Sequence, residues 1–146
     1  MHNDYRKPSQ MKLSSKGLAS LILREGKRNK AYKDTIGIWT IGVGHTGPEV
    51  KEGLQWTDQQ IEYALLKDVL WAEEAVNDVN SLLTQNQFDA LVSFVFNVGA
   101  TAFAKSTMKK MLDKGLFSEA AKQFDRWVIP PEITSRRMSE KAQFLS

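Results

Sequence analysis

The chain has 146 residues, a length typical of one domain. With 42% hydrophobic and 25% charged residues it resembles ordinary globular proteins, which excludes a disordered or fibrous chain. It contains no cysteine, so a disulfide framework, a zinc–thiolate site and a thiol nucleophile are excluded. With only two histidines in the sequence, we expect no metal site, and we expect no cofactor.

The net charge of +3 is unevenly distributed along the chain. Residues 1–33 contain nine basic and two acidic residues, residues 34–100 contain two basic and ten acidic ones, and residues 101–146 contain nine basic and five acidic ones. Basic surfaces bind nucleic acid, anionic membranes or anionic wall polymers, and charge alone does not choose among these partners. The longest charge-free stretch, residues 90–104, is shorter than the roughly 18 to 20 residues that span a bilayer.

Residues 1–12 are predicted to be a polar tail, and residues 13–146 a single domain. The first ten residues lack the apolar segment of a secretory signal, so we expect a cytoplasmic product without a signal peptide. Apolar residues at every third or fourth position then predict a helix over residues 15–25, which Gly26 ends. From residue 32 to residue 45 the apolar period changes to two around a turn at Gly37, which predicts an antiparallel hairpin or a three-stranded sheet.

Two capping boxes of the form S/T-x-x-E/Q begin the two main predicted helices. The first begins at Thr57 and continues to about Asn80, as the longest helix of the chain. The second begins at Thr84, carries an apolar stripe and stops before Gly99. Shorter helices are expected over residues 106–114, 117–127 and 131–145. The pattern predicts an α+β protein with a small sheet near the N-terminus and a mostly helical remainder.

Glu25 is the first candidate for chemistry. Its spacing places it on the apolar side of the predicted helix, at the end where the helix macrodipole disfavours a negative charge. Both effects would raise the pKa of a carboxyl group, as a general acid requires. Considered alone, the segment favours a glutamate at the helix edge that pairs with Arg24, Lys27 or Arg28 or reaches solvent.

Asp34 and Thr40 flank the turn at Gly37, so they can approach each other across the hairpin. Inverting glycoside hydrolysis needs one protonated carboxyl and one carboxylate that activates water, about 6.5 to 9.5 Å apart. A hydroxyl beside the carboxylate can hold that water. Glu25, Asp34 and Thr40 are therefore predicted to line one cleft, although singly Asp34 is typical of an Asx turn and Thr40 of an ordinary strand.

Four fragments together resemble the phage lysozymes, or endolysins, of glycoside hydrolase family 24. They are the spacing Glu25-x8-Asp34-x5-Thr40, the segment Thr40 to Gly47, the segment Phe94 to Gly99, and Arg126-Trp127 followed by Ser135-Arg136-Arg137 and Glu140. The resemblance covers nearly the whole chain after about Leu13. It implies a lysozyme-like α+β fold, in which a small N-terminal antiparallel sheet lobe and a mostly helical lobe are joined by a long helix.

The resemblance implies that Glu25 is the catalytic acid, Asp34 the base that orients water and Thr40 its hydroxyl partner. The implied substrate is peptidoglycan, cut at the β-1,4 bond between N-acetylmuramic acid and N-acetylglucosamine. It also aligns His45 and Asp68 with a structural ion pair.

Substrate contacts are implied for Phe96, Asn97 and Arg136, although each of them has a purely structural alternative. Phe96 can belong to the core, Asn97 can cap its helix, and Arg136 and Arg137 can be helix-surface arginines. Trp127 is expected in the core.

The implied biology is that of an endolysin that waits in the host cytoplasm and reaches the wall through a holin-type pore. We expect a monomer whose partner is peptidoglycan, with a weak contact between its basic C-terminal third and the anionic outer membrane. No recognition helix or RNA-binding signature is present in the sequence, so no nucleic-acid partner is expected. The short segment 128–132 departs from the longer glycine-containing loop of many relatives, so we expect this edge of the cleft to differ from theirs, and the sequence does not assign substrate contacts there.

Two alternatives stay open. A lytic transglycosylase cuts the same bond with one glutamate and no water, but Asp34 and Thr40 argue against it. A non-catalytic basic module for nucleic acid or membranes is supported only by charge.

The motif Gly42 to Gly47 matches the dinucleotide-binding pattern G-x-G-x-x-G, but no amphipathic helix follows it. A dinucleotide site is therefore not expected.

Overall fold

The computed structural model describes residues 11–146, so most of the predicted polar tail lies outside the described residues. In chain order the elements are α1 (Ser15–Glu25), β1 (Arg28–Lys33), β2 (Trp39–Gly42), α2 (Asp58–Asp68), α3 (Leu70–Asn77), α4 (Gln85–Val98), α5 (Ala100–Ala104), α6 (Thr107–Asp113), α7 (Phe117–Gln123) and α8 (Thr134–Leu145). Short 3-10 helices lie at Phe124–Arg126 and Pro131–Ile133. The predicted α+β class is confirmed.

The described chain forms two compact units. The small unit is Ala19–Leu70, and the helical unit combines the residues up to Leu18 with Trp71–Ser146. No helix within residues 11–146 is both long enough and apolar enough to cross a membrane.

The first helix has the bounds that its sequence predicts. The hydroxyl of Ser14 accepts a hydrogen bond of 3.0 Å from the backbone N–H of Gly17, which caps the start of α1. The backbone N–H of Gly26 donates to the carbonyl of Ile22 at 2.7 Å, and Gly26 has a φ of 79°. Because this left-handed conformation suits glycine, Gly26 ends the helix at Glu25.

The sheet of the small unit is a two-stranded hairpin. Strands β1 and β2 run antiparallel, with Tyr32 opposite Thr40 and Lys33 opposite Trp39. The turn between them contains Gly37, whose φ is 88°. The core of the small unit at this hairpin consists of Ala31, Ile41 and Val50, against which Trp39, Leu54 and Trp56 pack. Helix α2 packs on β2.

The single long helix predicted from Thr57 to about Asn80 is wrong, because the chain forms two helices there. Helix α2 begins with the predicted capping box at Thr57 and ends at Asp68, and α3 begins at Leu70. Between them Val69 is fully buried and has φ −90° and ψ −4°, which departs from helical geometry. Apolar spacing continues through this residue, so the periodicity of the sequence carries no signal of the break.

The helical unit is built around α4. Phe94, on this helix, makes edge-to-face contacts with Phe103, Phe124 and Trp127 at centroid distances of 6.4, 5.3 and 5.3 Å. Helix α4 begins at the predicted capping box and packs chiefly on α8. The three short helices expected after it are present as α6, α7 and α8, with 3-10 turns at the predicted end of α7 and the predicted start of α8. The five-residue helix α5 was not predicted.

Candidate active site

Glu25 is the last residue of α1, and β1 begins three residues later. Its side chain is exposed, whereas Leu21, one turn earlier, is fully buried. The burial expected for a residue on the apolar side of this helix is therefore not found at Glu25. Because α1 ends here, no following helical turn covers the carboxyl group. Its position at the negative end of the helix macrodipole is as predicted.

Asp34 shapes the hairpin turn with one of its two carboxylate oxygens. Oδ1 accepts hydrogen bonds from the backbone N–H groups of Ile36 and Ile38, at 3.0 and 2.8 Å. Its own backbone N–H donates to the carbonyl of Ile38 at 2.9 Å. Asp34 therefore does form an Asx turn. Within the described residues Oδ2 has no hydrogen-bond partner, so this oxygen can accept a proton from a ligand or a water.

Thr40 lies on the same face of the hairpin as Asp34. Thr40 lies opposite Tyr32 in the paired strands, and Asp34 follows Tyr32 by two residues. Asp34 is therefore the diagonal neighbour of Thr40 across the hairpin. The hydroxyl of Thr40 donates to the carbonyl of Ile38 at 2.9 Å, and its side chain is almost fully buried. Because its proton is engaged, the Thr40 oxygen can only accept a further hydrogen bond. Glu25, Asp34 and Thr40 all belong to the small unit.

His45 lies between two carboxylates. Its Nδ1 is 2.7 Å from Oδ2 of Asp68, the implied partner, and its Nε2 is 2.8 Å from Oε2 of Glu49. Partial burial lowers the pKa of His45, but the hydrogen bonds to Glu49 and Asp68 outweigh burial, so this pKa is raised above its ordinary value of 6.5. The same contact with His45 lowers the pKa of Glu49. Glu49 was not predicted, although it lies four residues after His45.

Replacing His45 by asparagine is expected to lower the melting temperature more at pH 5.5 than at pH 8.5. The raised pKa means that the stabilisation is fully present below about pH 6.5 and is lost as the pH rises through the folded-state value. For a partly exposed cluster we expect the loss at pH 5.5 to exceed the loss at pH 8.5 by about 2–4 °C. Thermal unfolding of the parent and the variant in the two buffers measures this difference, and Glu52→Gln is the exposed control. A loss of melting temperature that is the same at both pH values would contradict the prediction.

The implied substrate contacts of the helical unit have structural partners. Phe96 is half-buried and stacks on Trp71 with a centroid distance of 5.8 Å and an interplanar angle of 23°. Asn97 is exposed, and its carbonyl oxygen accepts a hydrogen bond from the guanidinium of Arg137. Arg136 donates from Nε to Glu140 at 3.0 Å and from Nη2 to the carbonyl of Ser93 at 2.9 Å.

Glu140 is the centre of a buried polar cluster that sequence reasoning missed. This fully buried carboxylate accepts hydrogen bonds from Ser93 Oγ at 2.6 Å, Arg136 Nε at 3.0 Å and Arg137 Nη1 at 2.7 Å. The side chains of Arg136 and Arg137 are only 9% and 2% exposed, so the alternative of surface arginines is wrong. Arg137 also donates to the carbonyl of Trp127 at 2.8 Å. The spacing of Arg136, Arg137 and Glu140 on one helix was the available signal.

Comparison with known proteins decides the family, since residues 23–140 match the family described as phage lysozyme. The chain belongs to the phage lysozyme family. It is 41% identical to the endolysin of Salmonella phage P22 over 145 residues, covering 93% of this chain and 99% of that one. The endolysin of Acyrthosiphon pisum secondary endosymbiont phage 1 is 39% identical, with the same coverage.

Solved structures of related lysozymes agree with the fold. A mutant of P22 lysozyme superposes with a TM-score of 0.89 at 40% identity, covering 94% of this chain and all of that one. The muramidase domain of SpmX from Asticaccaulis excentricus gives a TM-score of 0.84 at 39% identity, covering 94% and 99%. This phage lysozyme is therefore a peptidoglycan hydrolase with a lysozyme-like α+β fold. The alternative of a non-catalytic basic module is removed.

Proposed function

We propose that this lysozyme cleaves the β-1,4 bond between N-acetylmuramic acid and N-acetylglucosamine by inverting hydrolysis, with residues 13–146 as its catalytic domain. Glu25 donates the proton to the leaving oxygen, Asp34 removes a proton from the attacking water, and Thr40 holds that water. The observation that carries the proposal is that the two carboxylate oxygens of Asp34 have different roles. One oxygen fixes the turn, and the other is available on the face that Thr40 shares.

The proposed reaction proceeds in one displacement. The water oxygen attacks the anomeric carbon of the muramic acid residue while the bond from that carbon to O4 of the next sugar breaks. Asp34 Oδ2 takes the proton of the water, and Glu25 gives its proton to the departing O4. Because Thr40 donates its own proton to Ile38, its oxygen accepts the second hydrogen of the water and fixes the direction of attack. The new reducing end then has the inverted configuration.

Two side chains of the helical unit are proposed as sugar contacts. Since the carbonyl oxygen of Asn97 is engaged by Arg137, its amide N–H groups are the atoms that would bind an N-acetyl carbonyl. The ring of Phe96 would pack against the apolar face of a sugar. Arg136 supports this region through Ser93 and Glu140, so we assign it a positioning role in substrate binding.

Mass spectrometry of the products from purified Gram-negative peptidoglycan tests the reaction type. Muropeptides with reducing N-acetylmuramic acid ends are expected, and NMR of fresh products should show the α-anomer first. Anhydro ends would instead assign a lytic transglycosylase, in which Asp34 and Thr40 have no water to hold. The absence of soluble products from a folded sample would overturn the proposed function.

Replacing Asp34 by asparagine is expected to lower the rate of hydrolysis by about 10²-fold or more while the hairpin stays intact. The amide oxygen of asparagine can still accept the hydrogen bonds from Ile36 and Ile38, but the uncharged group cannot take a proton from water. Turnover of peptidoglycan together with circular dichroism measures both effects. Asp58→Asn, which removes an exposed carboxylate from the same unit, is the matched control. A variant with near-parent turnover would assign the base elsewhere.

For its biological role we propose host lysis by a monomer that leaves the host cytoplasm through a holin-type pore. Relatives named endolysin, in Salmonella phage P22, and SAR-endolysin, in Escherichia phage Mu at 38% identity, support a role in wall degradation. Expression in a bacterial host with and without a holin tests the route, since lysis should require the holin. Dye leakage from anionic vesicles tests the proposed weak contact with the outer membrane.

A further inference from the structure

The small unit contains a groove that is separate from the proposed catalytic residues. Its volume is about 620 Å³, and neither Glu25, Asp34 nor Thr40 lines it. Helix α2 forms one wall, and the segment that follows β2 forms the other. Cavities of about 300–1,000 Å³ hold small ligands, so the groove has room for a short stretch of a polymer.

Two aromatic side chains supply the apolar surface of the groove. Trp56 packs on the buried cluster of the small unit, so its ring is held in place, and its centroid is 5.2 Å from that of His45. Tyr63 is 63% exposed on α2, and the ammonium of Lys67 lies 4.4 Å from the centre of its ring. One ring held against the core and one exposed ring suit a ligand with an apolar face and a polar rim.

Amide groups supply the hydrogen bonds. Gln59 and Gln60 both line the groove from the first turn of α2. The side-chain oxygen of Gln60 already accepts from the backbone N–H of Thr57 at 2.8 Å, so its N–H groups are the atoms offered to a ligand. Gln59 is exposed and offers both a donor and an acceptor.

Two acidic and two basic side chains line the groove, and three of the four pair with one another. Glu49 and Asp68 are both engaged by His45, and Lys67 makes no ion pair within the described residues. The groove therefore contains two carboxylates, one lysine and one histidine. The hydrogen bonds from His45 to the two carboxylates favour the charged form of the histidine. A balanced groove with aromatic rings and amides complements an uncharged, amide-bearing ligand better than it complements the carboxylates of a peptide stem.

We propose that this groove binds an N-acetylated glycan segment of peptidoglycan at a distance from the bond being cut, and so anchors the enzyme on its polymer. The inference rests on the proposed function only for the identity of that polymer. It assigns Tyr63 and Trp56 to sugar packing and the amides of Gln59 and Gln60 to the N-acetyl groups.

Binding is tested in protein that carries Glu25→Gln, so that the polymer is not consumed. Co-sedimentation with insoluble peptidoglycan should show about 2–10-fold weaker binding when Tyr63→Ala is added, the loss typical of one aromatic contact. Leu66→Ala is the matched control, because Leu66 is 45% exposed on the same helix but does not line the groove. Trp56 is left unchanged because it belongs to the core, and thermal unfolding verifies that each variant is folded.

The soluble probe is a tetramer of N-acetylglucosamine, followed by ¹H–¹⁵N NMR. Shifts at the side-chain amides of Gln59 and Gln60 and at the Trp56 indole are expected, and Tyr63→Ala should weaken them. Equal binding of Tyr63→Ala and Leu66→Ala would overturn the proposal, as would shifts produced by a free stem peptide and not by the tetramer. Failure of the proposed function is seen separately, because it appears as missing products from the parent enzyme.

Discussion

Replacing Glu25 by glutamine is expected to reduce peptidoglycan hydrolysis by about 10²–10⁴-fold, the contribution typical of a general acid. Glutamine keeps the size and the hydrogen-bonding capacity of the side chain but has no proton to give to the leaving oxygen. Because position 25 is exposed and is the last residue of α1, a side chain of the same size fits there without disturbing the helix. We therefore expect a loss of activity without a loss of folding.

The measurement compares turnover and thermal unfolding in the same preparations. Glu62→Gln, at an exposed position on α2, controls for the exchange of one exposed glutamate for glutamine in the small unit. The control should retain parent turnover, and Glu25→Gln should unfold within about 3 °C of the parent. If Glu25→Gln kept more than half of the parent rate, the proton donor would have to be another residue. Combining it with Asp34→Asn should cost far less than the product of the two effects, because the two groups act in one step.

Local signals explain which parts of the fold could be predicted from the sequence. The helix from Ser15 to Glu25 has both of its end signals within the segment itself, and Thr57 and Thr84 begin helices through capping boxes that span four residues. The break at Val69 has no such signal, because a buried valine fits a continuous helix equally well. Val69 is fully buried, and a periodicity argument does not include the tertiary packing around a buried residue.

In the candidate site, too, features set by local sequence were predictable and features set by tertiary packing were not. The hairpin register follows from the turn at Gly37, so the shared face of Asp34 and Thr40 was predictable from spacing. The exposure of Glu25 could not be predicted from the sequence, because tertiary packing determines whether the end of a helix is covered. The spacing of Arg136, Arg137 and Glu140 within α8 permits their pairing, but the burial of the cluster needs the contact between α8 and α4, which the sequence of α8 alone does not contain.

Replacing Glu140 by glutamine is expected to destabilise the protein by about 3–5 kcal/mol, because one carboxylate compensates two buried guanidinium groups. Glutamine removes this negative charge and turns an N–H donor towards Arg136 or Arg137, which have only donors. The Ser93 hydroxyl would also lose a charged acceptor 2.6 Å away. For a chain of this length the change corresponds to a melting temperature lower by about 10 °C, measured by calorimetry at pH 7.

Glu119→Gln is the matched control for this cluster. Glu119 pairs with Lys122 at 3.2 Å, but both side chains are at least half exposed, so solvent screens the pair. Its loss should change the melting temperature by no more than about 2 °C. Equal shifts for the two variants would show that the carboxylate of Glu140 does not compensate the arginines. A large shift for Glu140→Gln alone would show that this carboxylate compensates the buried arginines, of which Arg137 also donates to Asn97 and to the carbonyl of Trp127.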